Sequence, residues 1–277
     1  MNNKHGIKYY VSTYIGLIAV SVLILFPVYW MIICSLQGPR LSEIRFTIPF
    51  DKITFESYFK VFEDMPFLTW YKNSILVSSL TTVFSLLIAV FGAYALSRFK
   101  FRGKKLFSVS VLATQLFPGV LLAIPMFVLF SRLSLLNTYH GLIISYITKA
   151  LPFSLWMLWG YFDTIPEELE EAAMVDGLGR VATIFRVIIP LAAPGLTAVA
   201  LFAFVLSWEE FLYALLIMGP DSMVTLTVGA ARLVGNQSVL WGEIMAYSVM
   251  MTIPTAIFFV FLQKYLVQGL TAGSVKG

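Results

Sequence analysis

Long apolar runs broken by short polar stretches dominate this 277-residue chain. Six runs stand out, at 14–36, 73–97, 106–131, 140–162, 196–218 and 243–266. Each is close to the ~20 residues an α-helix needs to cross a hydrocarbon core of ~30 Å. A membrane barrel would show alternating segments of about ten residues, and these runs are unbroken instead. Helices also satisfy every backbone N–H and C=O internally, as lipid demands. The pattern predicts an all-α polytopic membrane protein with six transmembrane helices. The first run follows Lys4 and Lys8 as a signal peptide would, but it has full span length and no small-x-small cleavage site, so a retained helix is expected.

Composition agrees. The chain is 59% hydrophobic and 12% charged, with a mean hydropathy of +0.85, whereas soluble domains carry about 25% charged residues. The net charge of +4 sits in short loops between runs and gives no reason to expect nucleic acid. Cys34 is the only cysteine, so no intrachain disulfide forms and it is expected to pack as a small hydrophobe. His5 and His140 stand alone, and neither a metal nor a cofactor is expected.

The loops set an orientation. Arg98-Phe99-Lys100-Phe101-Arg102-Gly103-Lys104-Lys105 holds no acid, and short basic loops stay in the cytoplasm. Residues 1–13, the segment 163–195 and the tail 267–277 are then cytoplasmic too, as Lys264 and Lys276 suggest. Residues 37–72 balance their basic residues with Glu43, Asp51, Glu56, Glu63 and Asp64, and are expected as a small extracytoplasmic cap. Pro27, Pro118, Pro125, Pro152 and Pro254 lie inside runs, where each removes a backbone donor. Pro118-Gly119 is the best candidate for a functional bend. Trp70, Tyr71, Tyr139, Trp159, Tyr161 and Trp241, near run ends, are expected mostly as an interfacial belt.

The segment 163–195 is polar yet keeps helical periodicity. Thr164 and Glu167 fit a capping box, Pro166 suits a first turn, and Glu167, Glu168, Glu170 and Glu171 suit the positive end of the dipole. Leu169, Ala172, Ala173 and Asp176 share one face, made flat enough by its alanines for close approach by another protein. Gly177 is a helix stop needing a left-handed conformation. A second short helix, 179–188, carries Ile184, Phe185, Val187 and Ile188 towards Pro190 and Pro194. A helix lying on the membrane is the competing reading, disfavoured by so much acid beside anionic lipid.

Glu171-Ala172-Ala173, Gly177 and Val187-Ile188-Ile189-Pro190 resemble, in sequence and spacing, the EAA loop of ABC importer permeases. Asp176-Gly177 is similar to the carbohydrate-uptake class, although Leu178 stands where alanine is common. Asn73-Ser74, Ala93-Tyr94-Ala95 with Arg98, Ile124-Pro125, Leu151-Pro152-Phe153 and the tail from Gly269 to Gly277 extend the resemblance along nearly the whole chain, to the maltose-type, MalG-like branch. The resemblance implies a type I importer permease fold with both termini cytoplasmic. The core transmembrane domain would span 73–266, with 163–195 as its coupling loop. It implies a second, MalF-like permease, two ATP-binding subunits, an extracytoplasmic solute-binding protein and a sugar substrate. Glu171, Ala172, Ala173, Asp176, Gly177 and Pro190 would couple to the ATPase. No G-x-x-x-x-G-K-[ST] loop occurs, so ATP hydrolysis is expected on a partner and this subunit is not an enzyme.

Four polar residues remain as substrate-path candidates. Lys149 lies about nine residues into the fourth run and Glu209 and Glu210 about 13 into the fifth, which puts them at similar depth at ~1.5 Å per residue. The expectation is that Lys149 and one glutamate pair or face each other across a polar cavity; a structural ion pair is the plainer reading. The family usually shows Trp-Asn-Glu/Asp near Trp208, so Glu210 matches and Glu209 departs. Gln115 either reaches sugar hydroxyls or joins helices, and joining is favoured. An ion-coupled carrier using Lys149, Glu209 and Glu210 as a relay is the competing function; such a carrier has no need of an ATPase-docking loop.

Overall fold

The computed structural model describes residues 7–39, 52–234 and 240–272, and is helical throughout them apart from turns and connections. Expectations on Lys4, His5, Glu43, Asp51, Lys276 and the tail from Gly273 to Gly277 fall outside these residues. Among the described residues, four helices are long and apolar enough to cross a membrane, and two bent helix pairs raise the number to six if each pair is one span.

The chain divides into two compact units. The first holds α1 (Ile7–Ser35), α2 (Glu56–Asp64) and the opening of the last helix. Ser35 and Tyr58 hydroxyls share a hydrogen bond of 2.7 Å, and the Phe67 and Tyr247 rings meet edge to face at 5.1 Å. Gly242 is required here: a Cβ would lie 1.9 Å from the Gly38 carbonyl oxygen. Cys34 is buried, as a small hydrophobe would be. Most of α1 is bare, with Leu23 at 75% exposure, which is the surface of a helix that faces lipid or another chain.

The second unit is built on α3 (Phe67–Arg98), α6 (Tyr139–Phe162) and α9 (Ala193–Glu209). Between them run α4 (Lys104–Ala113), α5 (Gly119–Arg132), α7 (Glu168–Val175) and α8 (Arg180–Leu191). After α9 come α10 (Leu212–Ile217), α11 (Leu226–Val234) and α12 (Trp241–Ala272). Two glycines allow the close packing. A Cβ on Gly195 would come within 2.6 Å of the Tyr161 ring, and one on Gly92 within 2.6 Å of Leu155. A continuous apolar core joins Ala89, Ala93 and Leu96 of α3 with Leu158 and Phe162 of α6 and Ile184 and Ile188 of α8.

Two expected spans are not continuous helices. The run 106–131 becomes α4, a 3₁₀ turn at Thr114–Leu116 and α5, with the two halves at 100°. Pro118 is the cause: it lacks an N–H, and Phe117 before it is held extended at φ −78°, ψ 122°. The run 196–218 splits at Glu210, whose ψ of 127° is also extended. Upstream, α8 meets α9 at 84°, where Pro190 and Pro194 remove successive donors and residues 184–188 widen into a π-turn. Pro27, Pro125, Pro152 and Pro254 stay inside continuous helices.

Two expected belt residues serve another purpose. Trp70 is buried and donates its indole N–H to the Asp221 carbonyl at 3.2 Å, and the Tyr139 hydroxyl donates to Asn73 Oδ1 at 2.8 Å. Trp70 is drawn inward by a carbonyl of the loop before α11, and Tyr139 by the Asn73 side chain that binds the same loop. Asn73 Nδ2 donates to the carbonyls of Ser222 and Val224, both at 2.9 Å, and Ser74 Oγ accepts the Leu226 N–H at 2.8 Å. Asn73→Ala is expected to cost about 2 kcal/mol, the net worth of three hydrogen bonds at a buried site. A lowered midpoint of thermal unfolding in detergent would record it; Asn73→Asp, which keeps only the Tyr139 bond, is expected to fall nearly as far.

Candidate functional site

The helix α7 is shorter than the sequence suggests and starts later. Thr164 does not form a capping box: its hydroxyl donates backward to the Tyr161 carbonyl at 2.7 Å, and Glu167, at the cap, makes no side-chain cap bond. Ile165 explains the delay. Its side chain is buried in the core and its carbonyl accepts from Arg98 Nη2 at 3.0 Å, which pins the turn that precedes the helix.

The end of α7 follows expectation closely. Gly177 has φ +88°, its N–H reaches the Met174 carbonyl at 3.1 Å, and the Leu178 N–H reaches Ala173 at 3.0 Å. That bond pair is a Schellman stop, which needs the left-handed residue that glycine supplies.

The two faces of α7 divide differently from expectation. Ala173 is buried with Glu170, so it packs inward and does not join Leu169, Ala172 and Asp176 on an outer face. Ala173 makes the inner face flat, and that lets α7 lie against α8. Outward point Glu171, Ala172 and Val175, the last 87% exposed, flanked by Leu169 and Met174. Val181, Phe185 and Leu191 of α8 are exposed as well, and so is Pro190. An anchored helix with an acidic, apolar outer face results.

Glu170 is the residue that sequence reasoning undervalued. It was read as one of four dipole acids, yet it is 3% exposed and paired with Arg98 Nε at 2.5 Å. Its other oxygen accepts from the Tyr94 hydroxyl at 2.9 Å. The signal available was Arg98 closing a span four residues after a tyrosine; nothing in the sequence says which of the acids meets it.

Elsewhere in the unit, Lys149 and Glu210 pair at 2.9 Å. The other Glu210 oxygen accepts the backbone N–H groups of Tyr213 and Ala214, so the carboxylate that ends α9 also caps α10. Lys149 Nζ lies over the Tyr213 ring, 4.7 Å from its centre. Gln115 donates to the Lys149 carbonyl at 3.0 Å, so it joins helices as favoured. Thr114, Gln115, Thr148, Lys149 and Tyr213 form the polar part of the wall of a mostly apolar cavity of about 860 Å³, which Pro118 also lines. Glu209 does not join them. It is exposed at the end of α9, beside an open apolar groove formed with Phe153, Met157 and Phe202. His140 is exposed, and among the described residues no group of His, Cys, Asp and Glu could hold a metal.

Comparison with known proteins fits this geometry. Residues 83–272 match the family model described as the inner membrane component of binding-protein-dependent transport systems. The chain is 39% identical to the trehalose/maltose transport system permease MalG of Thermococcus litoralis over 272 residues, covering 95% of both chains. It is 36% identical to the inner membrane ABC transporter permease YcjP of Escherichia coli K12 over 270 residues, covering 96% of each. Among solved structures, a bacterial ABC transporter that imports the acidic polysaccharide alginate contains a similar chain, with a TM-score of 0.79 and 26% identity over 96% of this chain and 99% of that one. An anchored loop helix, two broken spans and a match over most of the sequence lead to one assignment: the chain belongs to the inner membrane components of binding-protein-dependent transport systems, the permease subunits of ABC importers.

Proposed function

We propose that this permease forms one half of the translocation pathway of an ATP-driven oligosaccharide importer and takes the stroke of a separate ATPase through α7. The observation that carries this is the division of α7 into a face locked to its own chain by Glu170 and Ala173 and a bare face at Glu171, Ala172 and Val175. A helix held on one side and open on the other transmits force from whatever docks on it. Its small, acidic outer surface suits a basic cleft in a nucleotide-binding subunit. The basic 98–105 loop and the coupling segment lie at the cytoplasmic side, and the 37–72 cap lies outside.

The partners are a second, MalF-like permease, two ATP-binding subunits and an extracytoplasmic binding protein that delivers the sugar, all around a core bathed in lipid. Trehalose and maltose in one relative and alginate in another point to a saccharide cargo. The cavity bearing Gln115, Lys149 and Tyr213 is this subunit's share of the sugar route, with Lys149 as hydrogen-bond donor and Glu210 holding it in place.

Glu171→Lys is expected to cut co-purification of the ATPase by about tenfold, through loss of an interface charge contact of roughly 1–2 kcal/mol. Unchanged retention on pull-down would count against docking through this face. Trehalose uptake that survived removal of the ATPase and collapsed with the proton gradient would favour the ion-coupled carrier instead.

A further inference from the structure

We propose that Arg98, Glu170 and Tyr94 form a latch that makes the coupling helix and the end of α3 one moving body, so that force entering α7 passes first into α3. The inference rests on the proposed route of force through α7 and adds where that force goes next.

Connectivity alone does not give this result. By sequence, α7 continues from α6 and leads into α8, and α3 ends at Arg98, 70 positions before α7 begins at Glu168. The latch closes that gap with directional bonds. Arg98 uses its guanidinium three ways: Nε to Glu170, Nη1 to Ser97 Oγ at 2.9 Å and Nη2 to the Ile165 carbonyl at 3.0 Å. Glu170 is completed by Tyr94, one turn earlier on α3. Two further contacts run in parallel. Ser97 Oγ donates to Asp163 at 2.6 Å, and Arg180 of α8 stacks over the Phe99 ring at 5.1 Å.

Geometry separates a latch from a filler. Apolar packing, such as that of Ala93 and Leu96 in the same core, permits sliding at small cost, whereas a guanidinium with three bonded partners fixes both distance and angle. Buried ion pairs are not needed for stability, since apolar replacements of similar volume fold as well or better. Their use here is positional, and the latch residues are positioning residues.

The test uses the assembled transporter with nitroxide labels at Glu168→Cys on α7 and Lys100→Cys two residues past the end of α3, both exposed; the one native cysteine, Cys34, is buried, and the partner subunits are prepared with their cysteines replaced. Pulsed electron resonance is expected to give one narrow distance that stays the same in nucleotide-free and AMP-PNP-bound transporter, because the two labelled elements move together. The R98M/E170M variant is expected to insert and to retain the ATPase, to broaden that distance, and to lower trehalose taken up per ATP hydrolysed by about tenfold. R98K, which keeps the charge and loses the fork, is expected to fall between.

A wild-type distance and wild-type uptake per ATP in R98M/E170M would show the pair to be filling space only. A broadened distance with full coupling would place the latch outside the transmission route. Should no ATPase co-purify even with the wild-type chain, the proposed function fails, while the label distance in the permease alone still reports whether the pair fixes α7 to α3.

Discussion

Glu210→Ala is expected to lower stability by about 3 kcal/mol, within the range for removing one partner of a buried ion pair. Three groups lose their partner at once: the Lys149 ammonium and the N–H groups of Tyr213 and Ala214. Lys149 is one-third exposed, so water recovers part of its loss, and the figure lies at the low end of that range. Glu210→Gln separates the contributions. Its amide oxygen still accepts from α10 while the ionic attraction is gone, and a loss of about 1 kcal/mol is expected. Thermal unfolding in detergent measures both. Lys149→Met then asks whether the pair serves the cavity. A purely structural pair predicts that sugar uptake follows the unfolding midpoint across the set. A lysine that donates to sugar predicts that Lys149→Met loses more uptake than its thermal loss accounts for. The thermal loss is itself expected, because the buried Glu210 keeps two backbone donors but no counter-charge.

How legible this was depended on the range of the interaction. Features fixed by a few consecutive residues could be read: the bend at Pro118-Gly119 and the left-handed stop at Gly177. Depth along a helix is also local arithmetic, and counting residues was enough to bring Lys149 and Glu210 to one level, where they meet. Long-range choices could not be read. Four acids within five residues look alike in sequence, and only the packing of α3 against α7 decides that Glu170 turns inward while Glu171 turns out. Trp70 misleads for the same reason. At the head of a span it resembles a belt residue, but the carbonyl it binds is that of Asp221, about 150 positions away, beside those of Ser222 and Val224 that Asn73 binds. The split at Glu210 had a local cause, a carboxylate capping the next helix, yet an unbroken apolar run concealed it.

The Gly177 series is expected to give the largest functional loss for the least structural damage. At φ +88° a β-branched residue is strained by about 1–2 kcal/mol, and a Cβ there would meet nothing within 4 Å. The cost is therefore one of backbone conformation, with no clash to spread into the core. Gly177→Val relieves its strain by leaving the left-handed region, which breaks the bonds from Gly177 to Met174 and from Leu178 to Ala173 and re-aims the chain into α8. Insertion and the thermal midpoint are expected to stay close to wild type, since the loop lies outside the apolar runs. Sugar uptake per ATP is expected to drop by tenfold or more, about 1.4 kcal/mol of coupling. Gly177→Asn provides the control, because asparagine tolerates the left-handed region and should keep most of the coupling. Equal loss in the valine and asparagine variants would mean that the open space beside Gly177, and not its backbone angle, is what the ATPase requires. Loss of insertion in the valine variant would mean that the segment belongs to the bundle itself. Only the graded order Gly, Asn, Val, read at constant insertion, assigns the effect to the helix stop.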